Sequence, residues 1–264
     1  MKHIIALSDL PSRGRSYPKH LVIKVEAVPY IQLIQISKLS INSLSDVVSV
    51  FHTYVSFEGV DNFSVHDLEV VDYNHLVSVI AVLSDSREGF VPNIKCQHQI
   101  ENPDINYLSS LIAIEKDEEM IKQYKDKIAS LPKTRICNHL LTEPITVLQF
   151  KFTETNTEVP QKTEVGENRE LWTLCPPTVR RVLELEEEGI DAQESLYFPI
   201  LSCTNAPIDE VTQKIDELYK PDFLKITQAI NSFIVNLEPI PVVCPQCNNV
   251  TKVVFHLNKL KGYL

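Results

Sequence analysis

Cys244-Pro245-Gln246-Cys247, set between Ile240-Pro241-Val242-Val243 and Val250-Thr251-Lys252-Val253-Val254-Phe255, decides how this chain is read. Strand, Cys-x-x-Cys knuckle, strand is half of a zinc ribbon, and a closed structural site needs two more ligands. Two half-sites lie further back, Cys96-Gln97-His98 and Cys137-Asn138-His139. Both follow apolar or strand-like runs. Taking residues 99–136 as a helical insertion brings them together, as if one knuckle had been split. Thiolate and neutral imidazole are the preferred ligands of Zn2+, so two ligand sets meet the count. Cys96 and Cys137 can join Cys244 and Cys247 in one shared site, with His98 and His139 as alternates. Otherwise Cys96, His98, Cys137 and His139 form a site of their own. The shared set accounts for every half-site and ties the C-terminal hairpin to the middle of the chain. Cys175 and Cys203 have no ligand spacing and read as core residues.

The rest of the chain sets the fold class as α+β, with amphipathic helices packed with short antiparallel hairpins. Residues 1–60 read as a strand and helix region. Leu21, Ile23 and Val25 alternate with polar neighbours, and Leu10-Pro11-Ser12-Arg13-Gly14 before them reads as an ordinary connecting loop. Tyr30, Leu33, Ile34 and Leu39 share a helical face, and Ser43-Leu44-Ser45-Asp46 opens a second helix. His52 reads as a surface residue of that helix. Residues 61–152 hold a helix capped by Asp72, with a Leu76, Val79, Ile80, Leu83 stripe, then the split-knuckle hairpin. His75 reads as solvated or capping. Strands are expected near Phe90–Lys95 and Ile145–Phe152. Inside the 99–136 insertion, Asn102-Pro103-Asp104 breaks the chain before a charged helix bearing Ile121, Tyr124, Ile128 and Leu131. Residues 153–175 read as a polar loop. Residues 176–238 are helical, with an acidic Glu184, Glu186, Glu187, Glu188 face and Asp222 as a cap. Residues 239–264 form the zinc-ribbon hairpin.

Composition narrows the function. The net charge is −10, which argues against general nucleic-acid binding. Only 6 glycines against 16 prolines disfavour glycine-rich nucleotide loops. No apolar run reaches the roughly 20 residues of a membrane helix, and the N-terminus lacks a secretory h-region. A soluble protein made in the cytoplasm is therefore expected. No Gly-x-Ser-x-Gly, His-Glu-x-x-His or Gly-Lys-Ser/Thr motif marks an enzyme. A zinc-ribbon regulator of nucleic acid or polymerase is the competing reading. Against it, only Arg13, Arg15, Lys19 and Lys24 form a basic cluster.

Four stretches together suggest a family. Leu10-Pro11-Ser12-Arg13-Gly14 followed by Tyr17-Pro18, the run Asp67 to Leu76, the run Pro177 to Glu186, and Cys244-Pro245-Gln246-Cys247 resemble motifs of the T-even-like bacteriophage baseplate protein family. Its members are hub or hub-assembly components of contractile-tailed phages. The resemblance implies a structural or assembly role with no catalysis. The partners would be other hub, tube or wedge proteins, with no nucleic acid and no stable membrane insertion. The protein would then be found in the virion baseplate, and in host cytoplasm during assembly. The chain departs from the family pattern at Cys96-Gln97-His98-Gln99, which lacks Cys-x-x-Cys, at the 99–136 insertion, and at Asn248, where glycine is usual.

Overall fold

A computed structural model describes residues 2–36, 39, 43–84, 94–145, 150–153, 158–166, 170–190, 192 and 195–254. The chain divides into two compact units. The first combines Met1–Phe90, Thr146–Glu238 and Phe255–Leu264, and the second combines Val91–Ile145 with Pro239–Val254. The α+β reading holds: helices are mixed with short antiparallel sheets.

In chain order the first unit opens with β1 (Lys2–Ile5), β2 (Val22–Glu26), α1 (Tyr30–Ile36), α2 (Leu44–Phe51), β3 (Val55–Glu58) and α3 (Val70–Ser84). The second unit inserts β4 (Ile94–Lys95), β5 (Gln99–Glu101), α4 (Pro103–Ile114), α5 (Glu118–Ser130), β6 (Thr134–Ile136) and β7 (Leu140–Leu141). The chain then returns to the first unit for β8 (Gln161–Val165), β9 (Glu170–Leu174), α6 (Val179–Glu187), α7 (Phe198–Ser202), α8 (Ile208–Asp216) and α9 (Lys220–Asn231). It closes the second unit with β10 (Ile240–Val243) and β11 (Val250–Val253).

β2 is the central strand of an antiparallel β1-β2-β3 sheet. Its alternation is the expected one: Ile23 and Val25 are fully buried while Val22, Lys24 and Glu26 are half-exposed. They pack with Phe51, Leu68, Tyr73, Leu76, Ile80 and Val179. α2 starts where its capping box predicts, Ser43 and Asp46 each bonding the other's amide. The Glu186 carboxylate accepts from the amides of Leu44 and Ser45, placing negative charge at a helix N-terminus. So one residue of the acidic α6 face is a cap rather than a solvated charge.

Several expectations fail for identifiable reasons. α1 turns Leu33 and Ile36 inward and leaves Tyr30 and Ile34 exposed, while Leu39 lies beyond its end and is also exposed; a helix of two turns takes its phase from what it packs on. α3 begins at Val70, so Asp72 lies inside the first turn and is buried rather than capping. His75 is also buried, edge-on to the Phe152 ring at 5.2 Å, and burial pushes its pKa down to about 4. Asp222 lies in the first turn of α9, whose cap position is Tyr219. The 153–175 stretch is not one loop, because β8 and β9 pair from Gln161↔Leu174 to Val165↔Glu170. Among the described residues of that hairpin only Val165, Trp172 and Leu174 are buried, against Leu185, Ile200, Leu201 and Ile226, so polar composition masks a period of two. Of the strand expected near Phe90–Lys95, residues 90–93 lie outside the described residues, as do 146–149 of the Ile145–Phe152 run.

The loop before β2 is no plain connection. Its backbone needs Gly14, which sits at φ +69 with space for a Cβ only 2.8 Å from that of Leu7. Asp72 accepts from the Ser12 amide at 2.8 Å, the Ser12 hydroxyl at 2.5 Å and the Tyr17 hydroxyl at 2.6 Å. The Glu69 amide donates to the Tyr17 oxygen. The Glu69 carboxylate accepts from Ser16 and, through both oxygens, from the Arg15 guanidinium. Arg15 also donates to the Phe233 carbonyl and stacks over its ring. The Arg15–Glu69 pair is 1% exposed on both sides.

Removing one partner of a buried pair strands the other charge. Arg15→Leu should therefore lower unfolding free energy by about 3–5 kcal/mol, read from denaturant midpoints. Lys2→Ala, which breaks the exposed Lys2–Glu26 pair, should cost less than about 1 kcal/mol. Burial, and then the neighbouring Glu69 charge, raise Asp72 to about 6 against the donors from Ser12 and Tyr17. A carboxyl whose folded pKa lies above its unfolded value stabilises most at low pH and loses that contribution as pH rises through the folded value. Relative to Asp72→Asn, the wild type should lose about 2 kcal/mol of stability between pH 4 and 6.5. A flat difference across that range in urea titrations would refute the assignment.

Candidate metal centre

Both halves of the second unit build the same backbone turn. In the C-terminal half, β10 and β11 pair up to Val243↔Val250. Beyond that pair the Cys244 amide donates to the Asn249 carbonyl at 2.9 Å, and the Asn248 amide donates to the Cys244 carbonyl at 2.8 Å. In the other half, β4 and β7 pair up to Lys95↔Leu140. There the Cys96 amide donates to His139 at 2.8 Å and the Asn138 amide donates to Cys96 at 2.9 Å. Position for position, Cys96 matches Cys244, Cys137 matches Cys247, and Asn138 matches Asn248. The two asparagines share a left-handed backbone, φ 57 and φ 54. Asparagine is the side-chain-bearing residue that tolerates this region best, so both turns adopt it at little cost.

The difference lies at the tip. Pro245 and Gln246 close one knuckle, whereas residues 97–136 open the other. The opened chain does not wander. The Cys137 amide donates to the His98 carbonyl, and β5 pairs with β6 from Gln99↔Ile136 to Glu101↔Thr134 in unchanged register. Asn102 then seals the neck: its amide and side chain donate to Lys133 and Pro132, and its Oδ1 caps α4. The expected chain break at Asn102-Pro103-Asp104 is thus a helix start, with an N-cap asparagine and proline in the first turn. α5 follows the expected Ile121, Tyr124, Ile128 face, all half-buried.

These two turns place the sulfurs of Cys96, Cys137, Cys244 and Cys247 within 4.8 Å of one another. Cys96 and Cys247 are 3.6 Å apart, and Cys137 and Cys244 are 3.8 Å apart. A tetrahedron of sulfurs about 2.3 Å from a central ion has edges of about 3.8 Å, so the spacing fits a tetrahedral metal. Cys96 and Cys244 are fully buried, Cys137 nearly so, and Cys247 is half-buried. His98 and His139 are not in the group: His98 Nδ1 stands 3.3 Å from Cys96 Sγ, and His139 bonds the knuckle through its backbone. Cys203 is buried and Cys175 half-buried, both in the first unit.

Burial works to raise the Cys244 pKa, but the amides of Cys247 and Gln246 and the adjacent sulfurs bring it down. At Cys137 the His139 amide pulls downward, yet burial and the three neighbouring thiols push it up. Four thiolates this close need a cation between them. An all-sulfur set favours soft or borderline metals, and binding displaces the thiol protons.

No protein-family model, curated protein or solved structure matches this chain. No helix among the described residues is long and apolar enough to cross a membrane.

Each of Cys96→Ser, Cys137→Ser, Cys244→Ser and Cys247→Ser should lose stoichiometric metal, measured by elemental analysis of purified protein, while Cys175→Ser and Cys203→Ser keep it. Affinity should fall as pH drops, since protons compete for the thiolates. Full metal retention in Cys244→Ser would return the choice to a separate Cys96, His98, Cys137, His139 site.

Proposed function

We propose that this chain is a structural or assembly component of a contractile phage tail baseplate, in its hub region, and that its four cysteines hold a structural Zn2+. The observation that carries the metal half is the convergence of four sulfurs from two matched turns. Four protein ligands fill a tetrahedron and leave no open position for water or substrate, the condition of a staple rather than a catalyst. A bound ion would fix the Cys96 and Cys137 turns against the C-terminal hairpin.

The baseplate half rests on the sequence resemblance. Two of the stretches that carry it, Leu10–Pro18 and Asp67–Leu76, interlock through Ser12, Arg15, Tyr17, Glu69 and Asp72. Their occurrence together thus has a physical reason within one fold. The net charge of −10 suits docking to proteins better than to a polyanion. On this reading the partners are other hub, tube or wedge proteins, in assembling particles within the host cytoplasm and in the virion.

Peptide mass spectrometry of purified particles and of baseplate assembly intermediates, with metal analysis of the recombinant protein, tests both halves. We expect peptides of this chain in one or both preparations and about one zinc per chain. Absence from both, with a salt-dependent shift of duplex DNA, would replace the baseplate reading with that of a zinc-ribbon regulator.

A further inference from the structure

The two turns agree in backbone but differ in what faces their first sulfur. In the unbroken knuckle the amides of Cys247 and Gln246 are directed at Cys244 Sγ. In the split knuckle the chain after His98 leaves for β5. There the Cys137 amide, the counterpart of the Cys247 amide, donates to the His98 carbonyl, and Gln99 pairs with Ile136. Cys96 is fully buried, without water to solvate a charge on its sulfur. What stands beside it is an imidazole nitrogen, His98 Nδ1, at 3.3 Å.

We propose that His98 is an outer-sphere hydrogen-bond donor to the Cys96 thiolate, standing in for the amide of the second cysteine, which the split knuckle gives to the His98 carbonyl. It is a positioning residue of the metal centre and not a ligand. The assignment rests on the metal reading above. A nitrogen ligand would lie at tetrahedral-edge distance from the other donors. The set of mutually close donor atoms is complete with four sulfurs and does not include His98. A metal-bound thiolate can only accept a hydrogen bond, so the ring carries a proton on Nδ1. An N–H···S bond withdraws charge from the thiolate and fixes its lone-pair direction. It thereby supports the ligand as other second-sphere partners do.

The test is metal exchange and spectroscopy on the full chain. His98→Ala should speed zinc transfer to a competing chelator by about 10- to 100-fold, with zinc stoichiometry unchanged. With Co2+ in place of zinc, its thiolate-to-metal bands should keep wild-type intensity, since four sulfurs still bind, and move to lower energy. His98→Asn, whose side-chain amide reaches the position of Nδ1, should restore most of the exchange rate and the band position. Wild-type exchange and band position in His98→Ala would overturn the proposal. So would a loss of one ligand's worth of spectral change, which would make His98 a ligand. A wild-type protein that binds no stoichiometric metal would instead bring down the metal reading beneath it.

Discussion

Four sulfurs within 4.8 Å cannot all carry charge unless a cation lies between them. At such spacing, two unit charges repel by about 4 kcal/mol even at an effective dielectric of 20. Fully protonated, the same cluster is only a few weakly bonded thiols. The second unit has little else to hold it. Beyond the cysteines, its buried apolar residues among those described are Leu108, Leu141, Ile145, Ile240, Val242 and Val253, and α5 buries no residue fully. A bound structural zinc contributes about 10–16 kcal/mol in small zinc domains. That is ample for a unit whose strands are mostly two to four residues long. The metal reading and the foldability of this unit are therefore one question.

The first unit meets the problem of buried charge differently. Arg15, Glu69 and Asp72 are as inaccessible as the cysteines, but they are satisfied within the chain by hydroxyls, amides and a carbonyl. Burying them costs desolvation, which a hydrophobic substitution of the same shape would avoid. What the network secures is geometry. Ser12, Arg15, Ser16 and Tyr17 each bond to the α3 start, so the loop has one docked conformation.

The sequence made the period-2 strand β2, the capped helix α2 and the cysteine convergence legible, because alternation, capping boxes and ligand spacing are local signals. It hid what depends on distant partners. Nothing near Asp72 announces that Ser12 and Tyr17 will cover it, so a cap was the natural reading. His75 looked polar until Phe152 closed on it. The β8–β9 hairpin disappeared beneath its polar composition, and α4 behind an Asn-Pro pair that also begins helices. The split knuckle was legible only by analogy. Its confirmation is in hydrogen bonds that pair Cys96 with His139 and Cys244 with Asn249 in the same pattern.

That pattern explains how a metal turn can accept a large insertion at all. Lengthening a closed loop some twentyfold costs about 3 kcal/mol by chain entropy alone, a sizeable fraction of a typical domain's stability. The insertion reduces this cost by nesting. β5 and β6 continue the register beyond the sulfurs, and Asn102 ties the neck to Pro132 and Lys133. α4 and α5 then fold on each other, and Leu108 of α4 is buried. Each closure spans only a short free segment, because the next structure outward has already brought the ends together. The first turn therefore keeps its backbone bonds and both cysteines. What changes is the tip, where the Cys137 amide donates to the His98 carbonyl.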